Sequence, residues 1–180
     1  WWAAGGRPPE QSNQNVYEVA FDPDIQGKMW GAFSRYHDIP LRNYVYQDDP
    51  PTGPGGVWLS ADHAMSWTKS SEGLPDAPCL SVILDPTSPP GRRTLYAAVL
   101  DHGVYQSTDD GQSWVKRSEG LGRPWNMRVV NIQRHPNGDL YALVTGKRNA
   151  RKQWLRQGPG LYRSTDGAES WTPVNASFPL

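Results

Sequence analysis

Residues 103–121 read Gly-Val-Tyr-Gln-Ser-Thr-Asp-Asp-Gly-Gln-Ser-Trp-Val-Lys-Arg-Ser-Glu-Gly-Leu, and this stretch has two further copies in the chain. The upstream copy begins at Gly56 and ends at Leu74 in the same Ser-Glu-Gly-Leu tetrad, and the downstream copy spans residues 160–171. All three copies contain the pattern Ser-x-Asp-x-x-x-Ser-Trp, at intervals of about 50 residues, which are typical of repeat architectures. The sequence therefore predicts a fold built from three similar units.

Each copy is predicted to form a β-hairpin. Alternating segments such as 104–107 suit half-buried strands, and a second strand is expected to begin at Ser113 after a tight polar turn. In the turn, the serine and aspartate side chains can accept hydrogen bonds from backbone N–H groups, and Gly111 or Gly167 can supply a positive φ. The tryptophan is expected to bury its ring against the neighbouring unit. The residues assigned this structural role are Ser60, Asp62, Trp67, Ser107, Asp109, Gly111, Trp114, Ser164, Asp166 and Trp171.

These segments resemble the Asp-box, or BNR repeat, of the sialidase-type β-propellers, which is also found in family 74 glycoside hydrolases and in sortilin-type receptors. The second copy matches the family's Ser-x-Asp-x-Gly-x-[Ser/Thr]-Trp pattern in full, whereas Ala64 and Ala168 replace the usual glycine in the other two copies. The resemblance implies four-stranded blades with the Asp-box between the third and fourth strands. The expected fold class is all-β, an open partial β-propeller of about three four-stranded antiparallel blades with Asp-box turns.

Proline corners divide the chain into units. Segments 16–21, 79–84 and 129–134 each read as a strand that ends just before an Asp-Pro or His-Pro pair. The expected organisation is residues 1–15 as the end of a preceding blade or loop, 16–78 as blade 1 with a long inserted loop at 34–55, 79–127 as blade 2, and 128–180 as blade 3 with a basic insertion at 145–159. Because an open stack exposes apolar faces, completion by the remaining blades of a parent chain is expected, with pairing of two copies as the alternative.

Bulk composition narrows the function classes. The 18 basic and 18 acidic side chains cancel, so no overall field favours nucleic acid, and no apolar run predicts a membrane span. The single cysteine, Cys79, excludes an internal disulfide and is expected to be a buried small hydrophobe. The four histidines lie in different parts of the repeat, so neither a metal site nor a cofactor is predicted. An extracytoplasmic or secreted location is expected.

The insertion in the first unit contains the candidate for catalysis. Arg35, Tyr36, His37 and Asp38 offer a guanidinium, a phenol, an imidazole and a carboxylate just beyond a predicted strand, and the first three are candidate binding residues. Glycoside hydrolysis uses two carboxylates across the scissile bond. In family 74 hydrolases an aspartate follows the corresponding strand of an early blade, so the resemblance makes Asp38 the catalytic candidate, with its partner outside this segment. The alternative is a solvated loop in which Asp38 caps its own turn.

The basic insertion in the third unit contains the other candidate binding residue. Its cationic side chains could attract an acidic polysaccharide or a phosphate, and Trp154 could stack on the face of a sugar. A solvated basic loop is the competing interpretation.

Two functional hypotheses follow. The first is a propeller segment of a glycan-processing or glycan-recognising protein that is glycoside hydrolase-like, with a polysaccharide or other glycan as its partner. The alternative is a non-catalytic protein-interaction propeller of the sortilin or assembly-factor type. Whether the full-length protein is an enzyme stays open, with a glycoside hydrolase favoured, and this segment alone is expected to be inactive. A sialidase is not expected, because the family's arginine triad and early F/Y-R-I-P motif do not appear in this sequence.

Overall fold

A computed structural model describes residues 15–34, 55–146, 153 and 158–174. These residues form three four-stranded antiparallel sheets, and within each sheet the strands lie side by side in chain order. The predicted all-β fold with three four-stranded antiparallel units is therefore confirmed. Within the described residues, no helix combines the length and the apolar character needed to cross a membrane.

The strand bounds follow the sequence pattern closely. Sheet 1 contains β1 (Asn15–Phe21), β2 (Met29–Ser34), β3 (Gly55–Ser60) and β4 (Thr68–Lys69). Sheet 2 contains β5 (Cys79–Leu84), β6 (Leu95–Val99), β7 (Gly103–Ser107) and β8 (Val115–Lys116). Sheet 3 contains β9 (Val129–Arg134), β10 (Leu140–Val144), β11 (Gly160–Ser164) and β12 (Thr172–Pro173).

Sheet 2 is packed on both of its faces. Every residue of β6 is buried, although successive side chains of a strand point to opposite faces. Leu95, Ala97 and Val99 join a core shared with sheet 1, whereas Tyr96 and Ala98 join a core shared with sheet 3. This double coverage explains why β6 is an uninterrupted apolar run rather than an alternating one. Cys79 is fully buried in the first of these cores, as the sequence predicts.

The first strands of the three sheets contact one another in the order β1, β5, β9. Each contains a bulge at the same point of the repeat, so that one extra residue opposes the second strand. The extra residues are Tyr17, Leu80 and Val130, and with Leu100 they form a small apolar cluster. The bulge thus turns one residue of each first strand toward the neighbouring sheets.

The residue after each of the first two bulges bonds to the next sheet. Glu18 Oε2 accepts a hydrogen bond from the Val82 N–H at 3.1 Å and another from the Ser81 hydroxyl. Ser81 Oγ in turn accepts one from the Ile132 N–H at 3.2 Å. Burial raises the pKa of the Glu18 carboxyl, and the two hydrogen bonds that it accepts oppose that rise. The N–H groups of Val82 and Ile132, at the contacts between neighbouring sheets, are thus satisfied by side chains and not by strand pairing.

A tryptophan joins each later sheet to the one before it. The Trp114 ring is buried, and its indole N–H donates to the Ser70 carbonyl of the connector after sheet 1, at 2.8 Å. The Trp114 backbone N–H donates to the Glu72 carbonyl of the same connector, at 2.9 Å. Trp171 repeats both bonds with the connector that follows sheet 2, at 2.9 and 2.8 Å. We refer to this arrangement as the tryptophan contact.

The tryptophan contact explains the glycine of the Ser-Glu-Gly-Leu tetrad. Gly73 and Gly120 have φ values of 86° and 75°, a left-handed conformation that other residues resist. A Cβ on Gly73 would lie 2.3 Å from the Trp114 carbonyl oxygen, and one on Gly120 would lie 2.3 Å from that of Trp171. Both the backbone conformation and the close approach therefore require glycine.

The serine and leucine of the tetrad have their own roles. Ser71 Oγ accepts from the Val57 N–H at 3.0 Å and donates to the carbonyl of the same residue at 2.8 Å. Ser118 repeats this exchange with Val104 at 2.9 and 3.0 Å. Leu121 is buried in the core between sheets 2 and 3. The serine of the tetrad thus bonds the connector to its own sheet, while the glutamate carbonyl accepts the hydrogen bond from the tryptophan of the next sheet.

One strand boundary differs from the sequence-based expectation. The sequence predicts a strand from Ser113, but β8 begins at Val115. The Ser113 N–H instead donates to the Asp109 carboxylate at 2.9 Å, and the Trp114 N–H is used in the tryptophan contact. Because the N–H groups of Ser113 and Trp114 are both used in these bonds, hydrogen bonding between β7 and β8 starts only after Trp114.

A matched pair of glycine substitutions tests the tryptophan contact. Gly120 and Gly91 share a φ of 75°, but nothing lies within 4 Å of a Cβ on Gly91. Gly91→Ala is expected to lower the free energy of unfolding by about 1–2 kcal/mol, the cost of the left-handed backbone. Gly120→Ala is expected to lower it by about 2–5 kcal/mol, because the clash with the Trp171 carbonyl adds to that cost. Urea denaturation measures both, and equal losses would contradict this account of the tetrad.

Candidate functional site

The connections between strands divide between two edges of the sheets, because each sheet is antiparallel with its strands in chain order. The turn edge carries the proline corners at 22–28, 85–94 and 135–139 and the Ser-x-Asp turns at 60–67, 107–114 and 164–171. The loop edge carries the turn at 100–102, the connectors at 70–78 and 117–128, and the points where the chain enters and leaves the insertions at 35–54 and 145–159.

Each Ser-x-Asp turn is closed by its own hydrogen bonds. In the second copy, Ser107 Oγ donates to Asp109 Oδ1 at 2.7 Å and accepts from the Gly111 N–H at 2.9 Å. Asp109 Oδ1 also accepts from the Ser113 N–H at 2.9 Å. The same three bonds recur at residues 60–66 and 164–170. The three aspartates lie in three different sheets and each serves its own turn, so they do not form a common pocket.

The residue at the glycine position of each turn is left-handed whether or not it is glycine. Its φ is 66° at Ala64, 85° at Gly111 and 74° at Ala168. The preceding residue also has a positive φ in every copy, at His63, Asp110 and Gly167. The two alanine copies thus hold a backbone conformation that is costly for a residue with a Cβ.

The turn aspartates are held in their charged form. Hydrogen bonds from the Ser170 hydroxyl and N–H lower the pKa of Asp166 to about 2. The corresponding bonds from Ser66 lower the pKa of Asp62. A general acid needs the opposite shift, toward the working pH. These carboxylates are therefore suited to closing turns and not to donating protons.

A buried arginine clamps sheets 1 and 2 together at the turn edge. Arg93 is fully buried, and its guanidinium donates to Asp22 Oδ2 at 3.1 Å and Oδ1 at 2.6 Å, to Asp24 and to the Ser88 carbonyl. Although burial raises the pKa of Asp22, the hydrogen bonds and charge of Arg93 hold it below its usual value. Since the guanidinium has several acceptors and the buried charges of Arg93 and Asp22 compensate each other, this cluster is structural.

A second buried pair lies at the loop edge. Arg128 donates to both carboxylate oxygens of Asp101 at 3.1 Å, and both side chains are almost wholly buried. Next to it, Asn126 is fully buried and its amide donates to the Thr145 carbonyl at 3.1 Å. The start of the insertion at 145–159 is therefore attached to the connector between sheets 2 and 3.

That connector presents an exposed tryptophan. The Arg123 and Asn126 backbones exchange hydrogen bonds at 3.2 and 2.8 Å, which makes residues 123–126 a tight turn with Pro124 and Trp125 at its tip. Trp125 is 52% exposed. A Cβ on Gly158 would lie 3.3 Å from Arg123 Cγ, so the chain returns from the second insertion beside this turn.

The sequence-predicted candidates fall outside this description. Arg35, Tyr36, His37, Asp38 and Trp154 all lie outside the described residues and stay predictions.

Trp125 is not among the sequence-predicted candidates, because this residue lies outside the repeated pattern. One signal could have found it, since the connector at 122–128 is longer than its counterpart at 75–78 and the added residues include Pro-Trp-Asn.

Comparison with solved structures establishes the architecture. The chain is similar to the GH74 enzyme of Niastella koreensis, with a TM-score of 0.56 and 16% identity over 89% of this chain and 22% of that one. It is also similar to an ancestral GH74 enzyme, with a TM-score of 0.61 and 21% identity over 89% of this chain and 20% of that one. The fold is an open part of a β-propeller. Sheets 1–3 are its blades.

A third solved structure is less similar to the chain. YCF48 from Cyanidioschyzon merolae has a TM-score of 0.44 and 14% identity, over 86% of this chain and 39% of that one. No family model matches the chain, and neither does any curated protein. The chain spans about a fifth of the length of the two GH74 enzymes, and identities this low reveal the propeller fold alone.

The turn carboxylates predict a pH dependence of propeller stability. Because the pKa of Asp166 is about 2 in the folded state, below its ordinary value, its stabilising effect is present above the ordinary pKa and is lost as pH falls toward 2. Asp166→Asn is expected to lower the unfolding temperature at pH 7 and to show a smaller further decline between about pH 4 and pH 2. Thermal denaturation across this pH range measures the effect. Asp76→Asn, on an exposed connector residue, is the charge-matched control, and curves that stay parallel for wild type and Asp166→Asn would contradict the assignment.

Proposed function

We propose that the chain is a segment of an Asp-box propeller in a glycan-processing or glycan-recognising protein, and that the glycan binds at the loop edge. The observation that carries the proposal is the exposed ring of Trp125 on a tight turn. The C–H groups on one face of a sugar ring are apolar, and an indole offers a large flat surface against which they can pack.

Rigidity supports this role for Trp125. Its turn is closed by two backbone hydrogen bonds, and the buried Asn126 side chain ties it to Thr145. Deeper in the same edge lies the buried pair of Arg128 and Asp101. A side chain presented by such a fixed support loses little freedom on binding, so more of the contact energy appears as affinity.

The proposal also accounts for the two insertions. Long loops on a rigid scaffold are common locations for binding residues. Trp154 belongs to the insertion that begins and ends beside the Trp125 turn, and it stays the sequence-based candidate for a second stacking ring. Asp38 remains the candidate catalytic carboxylate in the other insertion, and its partner would come from remaining blades of a parent chain. We propose an extracytoplasmic or secreted location as part of the same function.

Removal of the exposed ring tests the proposal. In the full-length protein, Trp125→Ala is expected to weaken binding to xyloglucan or polygalacturonate roughly tenfold, the factor that corresponds to a loss of about 1.4 kcal/mol of contact energy. Affinity electrophoresis in gels containing each polymer measures the change. Met65→Ala is the control, because Met65 is 63% exposed at the turn edge and should not affect retention.

Two results would count against a glycan function. One is a wild-type protein that no polysaccharide retards, and this would favour the protein-interaction alternative. The other is an equal effect of Trp125→Ala and Met65→Ala, since a ligand at the loop edge should respond only to the first.

A further inference from the structure

We infer that the loop-edge site takes an anionic glycan, a polymer with carboxylate groups such as a polyuronate, and that Arg123 binds its carboxylate. The inference rests on the proposed glycan function and adds the class of sugar. Arg123 and Trp125 lie on the same closed turn, and both side chains are exposed. A ring and a cation presented by one turn can contact the face of a sugar and its acidic substituent together.

The charge of Arg123 is uncompensated within the described part of the chain. Its neighbour Arg128 is neutralised by Asp101, and Arg163 of sheet 3 is paired with Asp139. No carboxylate among the described residues forms such a pair with Arg123. An exposed guanidinium without an acidic partner retains its full capacity for an anion, and its planar fork matches the two oxygens of a carboxylate.

The position of Arg123 is fixed by its surroundings. A Cβ on Gly158 would lie 3.3 Å from Arg123 Cγ and 3.6 Å from its Cβ, so the stem of the arginine packs against the returning chain. The Tyr162 hydroxyl donates to the Gly158 carbonyl at 2.9 Å and holds that chain in place. Burial raises the pKa of Tyr162, and the positive charge of Arg123 opposes the rise.

The insertion that begins and ends beside the Trp125 turn is rich in basic residues, which also favours an anionic ligand. Residues 147–156 contain three arginines and two lysines and no acidic residue. Positive charge on neighbouring segments raises the local concentration of an anionic polymer even without direct contact. The 180 residues together have no net charge, so this concentration of cations is a local property of the segment 147–156.

A comparison of charged and neutral ligands tests the inference. Isothermal titration of the full-length protein would use oligogalacturonate and a cello-oligosaccharide of the same length. The wild type is expected to prefer oligogalacturonate, and the preference should shrink as salt is added. Arg123→Gln is expected to weaken oligogalacturonate binding about three- to fivefold, as for an exposed ion pair, and to leave the neutral ligand unaffected. Arg123→Lys should retain part of the preference, because the charge remains.

The control is Arg92→Gln, which removes the same charge from an exposed residue of the turn edge. If it weakens oligogalacturonate binding as much as Arg123→Gln does, the preference reflects overall charge and the inference is wrong. An unchanged preference in Arg123→Gln would overturn it as well. In both cases the proposed function would still hold if the neutral ligand binds and Trp125→Ala weakens that binding. If neither ligand binds the wild type, both the proposed function and the inference are wrong.

Discussion

The structure depends on one contact between neighbouring blades, in which an indole N–H and the backbone N–H of the same tryptophan donate to two carbonyls of the preceding connector. A single four-stranded blade cannot bury its apolar face by itself, so each blade needs a specific means of attachment to the next. The tryptophan contact provides apolar burial and directed hydrogen bonds at once, which orients the blade as well as holding it. The glycine of each Ser-Glu-Gly-Leu tetrad exists to let the tryptophan carbonyl approach.

The two edges of the propeller have different tasks. At the turn edge, the hydroxyls and carboxylates of each turn are consumed by local bonds, and the buried Arg93 joins blades 1 and 2. Such a fully satisfied polar network tolerates little change, since the loss of one partner leaves a buried charge uncompensated. At the loop edge, the insertions and the longer connector add length without disturbing the ladders. Residues that determine function are therefore expected at the loop edge, where the packing of the blades does not depend on the sequence of the loops.

The loop edge combines a rigid base with an exposed tip. The buried pair of Arg128 and Asp101 and the buried amide of Asn126 support the connector from below, while Trp125 and Arg123 face outward. A single short turn thus presents a flat apolar ring and a cation from a fixed position. This combination is suited to a ligand that has an apolar face and an acidic substituent, and it supports the anionic glycan that we propose.

For the described residues, the sequence by itself determined most strand bounds, the hairpins and the three four-stranded sheets, because period-two patterns, proline corners and Ser-x-Asp turns act over a few residues. It also predicted a structural role for the repeated aspartates, since their bonding partners lie within four residues. Only the tertiary structure identified the acceptors of Trp114 and Trp171, the cluster of bulged residues at Tyr17, Leu80 and Val130, and the exposure of Trp125. These features join residues from different blades or depend on what remains uncovered after packing, and neither property is encoded in local spacing.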